Sequence, residues 1–222
     1  MSFFIGLDLG QAQDYTATAV VERLPGADAP VLHVRHLERL PLGTPYPRVV
    51  THVQTLLAQA PLAGQTQLVV DATGVGQAVV DMLQQAGLHP IAIALHGGAT
   101  VTHEGMHYRV PKRDVVAALQ VLLQTHRLRI AQALPLANVL VQELLNFRVT
   151  LDPRTAHDSY AAWREGQHDD LVLAVALAAW WATWRPPAAG ILVAGALPPG
   201  ERIRQRRQLA LQAQWVRRLE QW

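Results

Sequence analysis

The stretch DDLVLAVALAAWWATW, from Asp169 to Trp184, constrains this chain more than any other. Behind its two aspartates it is apolar on every face, and a helix with no polar face has to be covered all round. It is too short for a convincing membrane span and it begins at two acids, so it reads as a helix buried in a globular core. Compensation of the helix dipole accounts for acids in a first turn. It does not account for a wholly apolar helix behind them, so the polar start faces something specific. Adjacent residues point about 100° apart around a helix. One of the pair therefore aims inward better than the other, with Asp170 favoured and Asp169 second.

The rest of the chain supplies the cover. SFFIGLDLG, YTATAVVERL and VLHVRHLERL read as three strands in series, the last two with apolar residues alternating, separated by the turn signals QAQD and PGADAP. A helix is expected from about Tyr46 to Ala60, with Val49, Val53, Leu56 and Leu57 at helical spacing. QLVVD reads as a buried strand, GVGQAVVDMLQQAG as a helix closed by Gly87, and PIAIAL as a further strand. From His96 to Tyr108 the pattern breaks into a polar, glycine-bearing loop near the functional edge. Pro111 then opens the helix PKRDVVAALQVLLQTH, and LPLANVLVQELLNF is helical again. FRVTLDPRTAHDSYAAW reads as a hairpin around DPRTAHD. Three strands followed by strands alternating with helices imply an α/β fold, a mixed central sheet with helices on both faces.

With 222 residues, 50% of them hydrophobic, the chain can build one sizeable core. Residues 1–185 are expected to form that domain, 186–200 a Pro/Gly-rich linker, and 201–222 a basic amphipathic C-terminal helix. No cysteine is present, which excludes disulfides and zinc–thiolate sites and is compatible with a reducing cytoplasm. The N-terminus lacks the basic flank and long apolar run of a signal peptide. Residues 1–185 carry a net charge of −2 and residues 186–222 a net of +4, which hints at a polyanionic partner. The arginine-rich tail fits either an arm on DNA or an amphipathic helix docked on protein.

Chemistry is carried by acids set far apart in sequence. Asp8 ends a short apolar strand at a glycine; Asp71 ends QLVVD before the tight ATGVG turn; Asp169 and Asp170 open the apolar helix. Individually each has an ordinary explanation: a turn cap for Asp8, a helix N-cap for Asp71, dipole compensation for the pair. A buried carboxylate is costly unless paired or metal-bound, and carboxyl ends of such strands are where open α/β sheets place their ligands. Together they make a hard-oxygen site of the kind that holds Mg²⁺ or Mn²⁺ for phosphodiester chemistry. Strand acid, strand acid, helix acid, in that order, matches the RNase H-like fold.

Four blocks, GLDLGQAQDYTATAVV, LVVDATGVGQAVVDML, VPKRDVVAALQVLLQTHRLRIA and EGQHDDLVLAVALA, resemble in order the nuclease domain of phage terminase large subunits. The resemblance runs from about Ile5 to Trp184, and DATGVG and HDD are its specific parts. It implies an RNase H-like endonuclease, dependent on Mg²⁺ or Mn²⁺, that cuts double-stranded DNA during phage or prophage genome packaging in the host cytoplasm. Its catalytic acids carry over onto Asp8, Asp71 and the Asp169–Asp170 pair, and His168 matches the family's histidine before them. Implied partners are a separate packaging ATPase, a small terminase or a portal.

The chain also departs from that family. GxxxxGK[ST] is missing, since the only lysine, Lys112, follows Pro111, so the expectation is an excised nuclease domain or a stand-alone relative. Leu173 stands where many members carry a further acid, which puts more weight on Asp170 and Asp169. The mechanism implied is two-metal hydrolysis with substrate bound: Asp8 bridging, Asp71 completing one coordination sphere and Asp170 the other. Lys112 and Arg113 are candidate phosphate contacts, and His168 a candidate for orienting a carboxylate or shuttling a proton. A metal site on His96, His103 and His107 is less specific, because the loop bears histidines without acids at fixed spacing. GLDLG also resembles the first phosphate loop of actin-like sugar kinases, but the chain is too short for the second domain they need. A Holliday-junction resolvase of the same fold, or a non-catalytic prophage DNA-binding protein, are the remaining alternatives.

Overall fold

The computed structural model of the chain describes residues 2–10, 13–151, 158–162 and 168–184. The expected linker over 186–200 and helix over 201–222 lie outside them, as does most of the DPRTAHD turn. Their helices and strands all fall in one unit, Met1–Thr183.

Three antiparallel strands lead: β1 (Ser2–Asp8), β2 (Ala17–Leu24) and β3 (Val31–Arg39). After α1 (Tyr46–Leu57) comes β4 (Thr66–Asp71), which lies parallel to β1 on its other side. Then α2 (Gly76–Gln85) returns the chain to β5 (Ile91–His96), parallel to β4. The sequence reads His96–Tyr108 as an irregular loop, but it holds β6 (Thr102–Glu104) and the start of β7 (His107–Pro111), an antiparallel hairpin. The strand β6 is exposed at all three residues and sits at the sheet edge, so no apolar alternation marks it. From β7 the chain enters α3 (Lys112–Gln124), then β8 (Leu128–Ile130), a strand parallel to β3 that the sequence reading leaves unassigned. Next are α4 (Ala137–Asn146), the paired strands β9 (Phe147–Leu151) and β10 (Asp158–Ala162), and α5 (Asp170–Thr183). The main sheet runs β6-β7-β5-β4-β1-β2-β3-β8, mixed as expected, with β1 near its centre.

The two faces of β1 separate by its period of two. Phe3, Ile5 and Leu7 join Val49, Val53 and Leu56 of α1 and Val79, Val80 and Leu83 of α2 in one buried cluster. The alternate residues, Gly6 and Asp8, face α5. A Cβ on Gly6 would stand 1.8 Å from the Ala174 carbonyl oxygen, so only glycine lets the helix lie this close to the strand. The helix packs on β1 and β2 and is flanked by α3 and α4, so nearly all of its residues are buried. That is the environment its uninterrupted apolar sequence requires. It runs against β1: its start lies at the strand's C-terminal end, and Trp181 near its own end donates Nε1–H to Gln67 Oε1 at 2.6 Å, early in β4. No helix among the described residues is long and apolar enough to cross a membrane.

Candidate active site

Register brings the strand acids together. The parallel pairing of β1 and β4 ends at Leu7 opposite Val70. One residue further, Asp8 and Asp71 leave neighbouring strands at the same end of the sheet, where adjacent strands are about 4.8 Å apart. Leu68 and Val70 point into the α1–α2 cluster, so Val69 and Asp71 turn to the α5 face, the face of Asp8.

Asp71 does not cap α2, whose N-cap is Val75 with no side-chain bond. Its Oδ1 accepts the Thr73 N–H at 2.8 Å, while Thr73 Oγ1 accepts the Leu95 N–H at 2.9 Å. This turn ties Asp71 to β5. A Cβ on Gly76 would stand 2.1 Å from the Asp71 carbonyl oxygen, so the glycine in ATGVG is needed for α2 to start so near the acid.

The pair at the helix start divides. Asp170 is 3% exposed and gripped by Arg39 from β3: Nε donates to Oδ2 at 2.7 Å and Nη2 to Oδ1 at 3.1 Å. The same Nη2 donates to Glu143 Oε1 of α4 in a short contact. Glu143 Oε2 in turn accepts the Val172 N–H at 3.0 Å. The guanidinium lies over the Tyr15 ring, 4.7 Å from its centre, and Tyr15 meets the His168 ring edge-on at 4.9 Å. Asp169 has no part in this clamp. Its carbonyl accepts the Leu173 N–H at 2.9 Å, and its side chain is left to the acid cluster.

Electrostatics describe that cluster. Burial, then the charges of Asp71, Asp169 and Asp170 in that order, push the Asp8 carboxyl well above its ordinary 3.8, and Lys112 works against the rise. Asp71 is raised by burial and lowered by Thr73 and Lys112; Asp169 is raised by burial and by Asp170, and lowered by Lys112. Burial also raises Asp170, against the pull of Arg39. Glu143 is pushed up to about 7 by burial, with Asp170 and Asp169 adding to the rise and the Val172 N–H and Arg39 opposing it. Lys112, opening α3 beside the ends of β5 and β7, is thus the cation common to Asp8, Asp71 and Asp169. Arg113 points elsewhere: Nη2 donates to the Ala99 carbonyl at 3.3 Å, and Nε lies 3.6 Å from Asp114 Oδ1. His168 Nδ1 makes no hydrogen bond among the described residues, and Asp14 Oδ1 and Asp170 Oδ1 lie 3.8 and 3.9 Å from it.

Among the described residues, no three His, Asp or Glu side chains are drawn tightly enough onto one point to form a ready metal cage. That includes His96, His103 and His107: His96 Nδ1 accepts the Gly98 N–H at 2.9 Å, and His103 stacks on Tyr108. Asp8, Asp71 and Asp169 offer the right chemistry nonetheless. They are all-oxygen, rich in charge, crowded enough to raise Asp8, and carried on three separate elements. A groove of about 580 Å³ lies on the α1 side of the sheet, away from these acids, where His36 and His52 both contact Glu38 Oε2 at 3.2 and 2.8 Å. The sequence reading missed Arg39, Glu143 and Tyr15. Glu143 had left a signal, the lone charged residue of its helical run, flanked by Leu144 and Leu145.

A mixed sheet with β1 antiparallel to β2 and parallel to β4, acids at its end and a buried helix across its face is RNase H-like. Within that class the chain has the fold of large-terminase nuclease domains. It is similar to the nuclease of the large terminase from thermophilic phage G20c, with 21% identity, 80% of each chain covered and a TM-score of 0.58. It is similar also to the g2p large terminase nuclease domain of bacteriophage SPP1, solved with bound Mn, at 13% identity, TM-score 0.51, over 80% of this chain and 85% of that one. The large terminase nuclease domain of P22 matches at 11% identity and TM-score 0.51, over 82% of this chain and 80% of that one. No protein-family profile and no curated protein matches the sequence.

Proposed function

We propose that this protein is a metal-dependent endonuclease that hydrolyses phosphodiester bonds of double-stranded DNA, in the setting of phage or prophage genome packaging. The observation that carries the reading is the gathering of Asp8, Asp71 and Asp169 at one end of the sheet, from two neighbouring strands and a helix start, within electrostatic reach of one lysine. The shared fold with large-terminase nucleases supports it, as does the SPP1 domain having been solved with Mn.

In this reading Asp8, Asp71 and the Asp169–Asp170 pair would hold Mg²⁺ or Mn²⁺ through their carboxylate oxygens, Asp169 being the member of the pair outside the Arg39 clamp. Bound there, the ions supply a water of lowered pKa and neutralise charge on the leaving 3′-oxygen. The chain's own part is to hold carboxylates in place, to favour their ionised forms through Lys112 against burial, and to present Lys112 to the phosphate backbone as a point charge. Arg113 adds positive charge along the same helix start. His168, stacked edge-on against Tyr15, is placed to take or give a proton beside Asp170. A packaging ATPase, a small terminase or a portal would bring the DNA.

The test is cleavage of supercoiled plasmid by the purified chain with Mn²⁺, Mg²⁺ or EDTA, beside Asp8→Asn and Asp71→Asn. Nicking or linearisation that needs the metal and vanishes in both variants is expected. DNA binding without cleavage, equal in EDTA and in the variants, would instead leave a non-catalytic DNA-binding protein. Preference for a four-way junction over linear duplex would favour a resolvase.

A further inference from the structure

The clamp around Asp170 serves a purpose that an isolated ion pair does not. One arginine is shared by two buried carboxylates, Asp170 and Glu143, at 3% and 6% exposure. A buried ionic group of this kind is a poor source of stability compared with apolar packing, because desolvation takes back most of the attraction. It does fix geometry. Arg39 reaches from the end of β3, Glu143 from α4, and both act on the first turn of α5, through the Asp170 side chain and the Val172 N–H. Tyr15 closes the remaining side of the guanidinium. Asp169 stands immediately before this clamped turn, its carbonyl bonded to the Leu173 N–H. Its carbonyl is therefore tied into the turn that the clamp fixes.

Resting on the nuclease reading above, we infer that Arg39 is a positioning residue: by gripping Asp170 and Glu143 it sets the start of α5 and holds Asp169 towards Asp8 and Asp71. Asp170 is then the anchor of the helix start, and Asp169 the acid that faces the ion. Positional tolerance at such sites is small, about 0.5 Å for a productive constellation. Loss of the bidentate fork lets the first turn shift and weakens the hold on the ion without removing any ligand.

The experiment uses the full chain with Arg39→Met and Arg39→Lys, and Asp169→Asn as a site control. Mn²⁺ affinity is read directly, by the signal of free Mn²⁺ in electron paramagnetic resonance, and cleavage is titrated against Mn²⁺ in parallel. Circular dichroism and melting establish that each variant is folded. Arg39→Met is expected to weaken Mn²⁺ binding about 10–100-fold, as loss of a group behind a metal ligand does. Its cleavage should recover most of the way at saturating Mn²⁺, which a general loss of folded protein would not allow. Lysine keeps the charge but not the fork, so Arg39→Lys should fall between the two. Asp169→Asn should lose cleavage that no Mn²⁺ concentration restores. Folded Arg39 variants with unchanged Mn²⁺ affinity would overturn the inference while leaving the nuclease reading intact. Should Arg39→Met not fold, Arg39→Lys decides by the same criterion. An unaltered chain that neither binds Mn²⁺ nor cuts DNA would overturn the nuclease reading itself, and this inference with it.

Discussion

At the residue scale the controlling fact is a shortage of positive charge among the acids. Lys112 is the only lysine in the chain and lowers the pKa of Asp8, Asp71 and Asp169 alike. The acids have to be ionised to hold a divalent cation. Lys112→Met removes the group that favours their ionised forms, so all three carboxyls rise further. The low-pH limb of the cleavage profile should move to higher pH, and a pH–rate series at fixed Mn²⁺ reads that shift. In the proposed function the same substitution removes one phosphate contact. The slope of log K against log[salt] for duplex binding should then shrink by about 0.9, the value for one phosphate on B-DNA. An unmoved pH limb would separate Lys112 from the acids, and an unmoved salt slope would separate it from the DNA.

At the element scale the fold depends on how closely α5 lies on β1. Gly6→Ala puts a methyl group 1.8 Å from a carbonyl oxygen of a helix that is itself packed on every side. Overpacking of this kind costs roughly 2–3 kcal/mol. For a domain of this size that corresponds to a fall in Tm of roughly 4–12 °C, which calorimetry would read; an unchanged Tm would mean that α5 stands further off. Much of this layer was legible in the sequence. The alternation of VLHVRHLERL and the unbroken apolar run of α5 are signals that burial writes directly, and the structure has β3 and α5 there. Elements without such burial were not legible. The strand β6 is exposed throughout, and β8 spans three residues, too few to show a period. The acids at the strand and helix ends were visible because each breaks an apolar run. The clamp was not, because its partners lie 104 and 131 residues apart and no local pattern records a pairing over that distance.

At the scale of the whole molecule, one end of the sheet gathers carboxyls that folding makes harder to ionise. Asp8, Asp71, Asp169, Asp170 and Glu143 are all raised, with burial the first cause for each. A carboxyl with a raised folded pKa binds its proton more tightly in the native chain than in the unfolded one. Its contribution is present in full below the unfolded pKa and is lost as pH rises through the folded value. For Glu143 that window runs from 4.5 to about 7, and for the aspartates it opens at 3.8. In EDTA the Tm should therefore fall between about pH 4 and about pH 7, opposite to the trend of a protein whose acids are stabilised by salt bridges. In the proposed function divalent cations should reverse this, by binding the ionised site of the native chain. Mn²⁺ at about 100 times its Kd contributes about 2.7 kcal/mol by mass action, or roughly 5–11 °C for a chain of this length. The gain should be large at pH 8 and small at pH 5, where protons compete for the same oxygens. Differential scanning calorimetry at the two pH values, in EDTA and in Mn²⁺, measures all four corners. A Tm that instead rises with pH in EDTA would mean that Arg39 and Lys112 already hold the acids ionised. A Mn²⁺ gain equal at both pH values would place the ion away from these carboxyls.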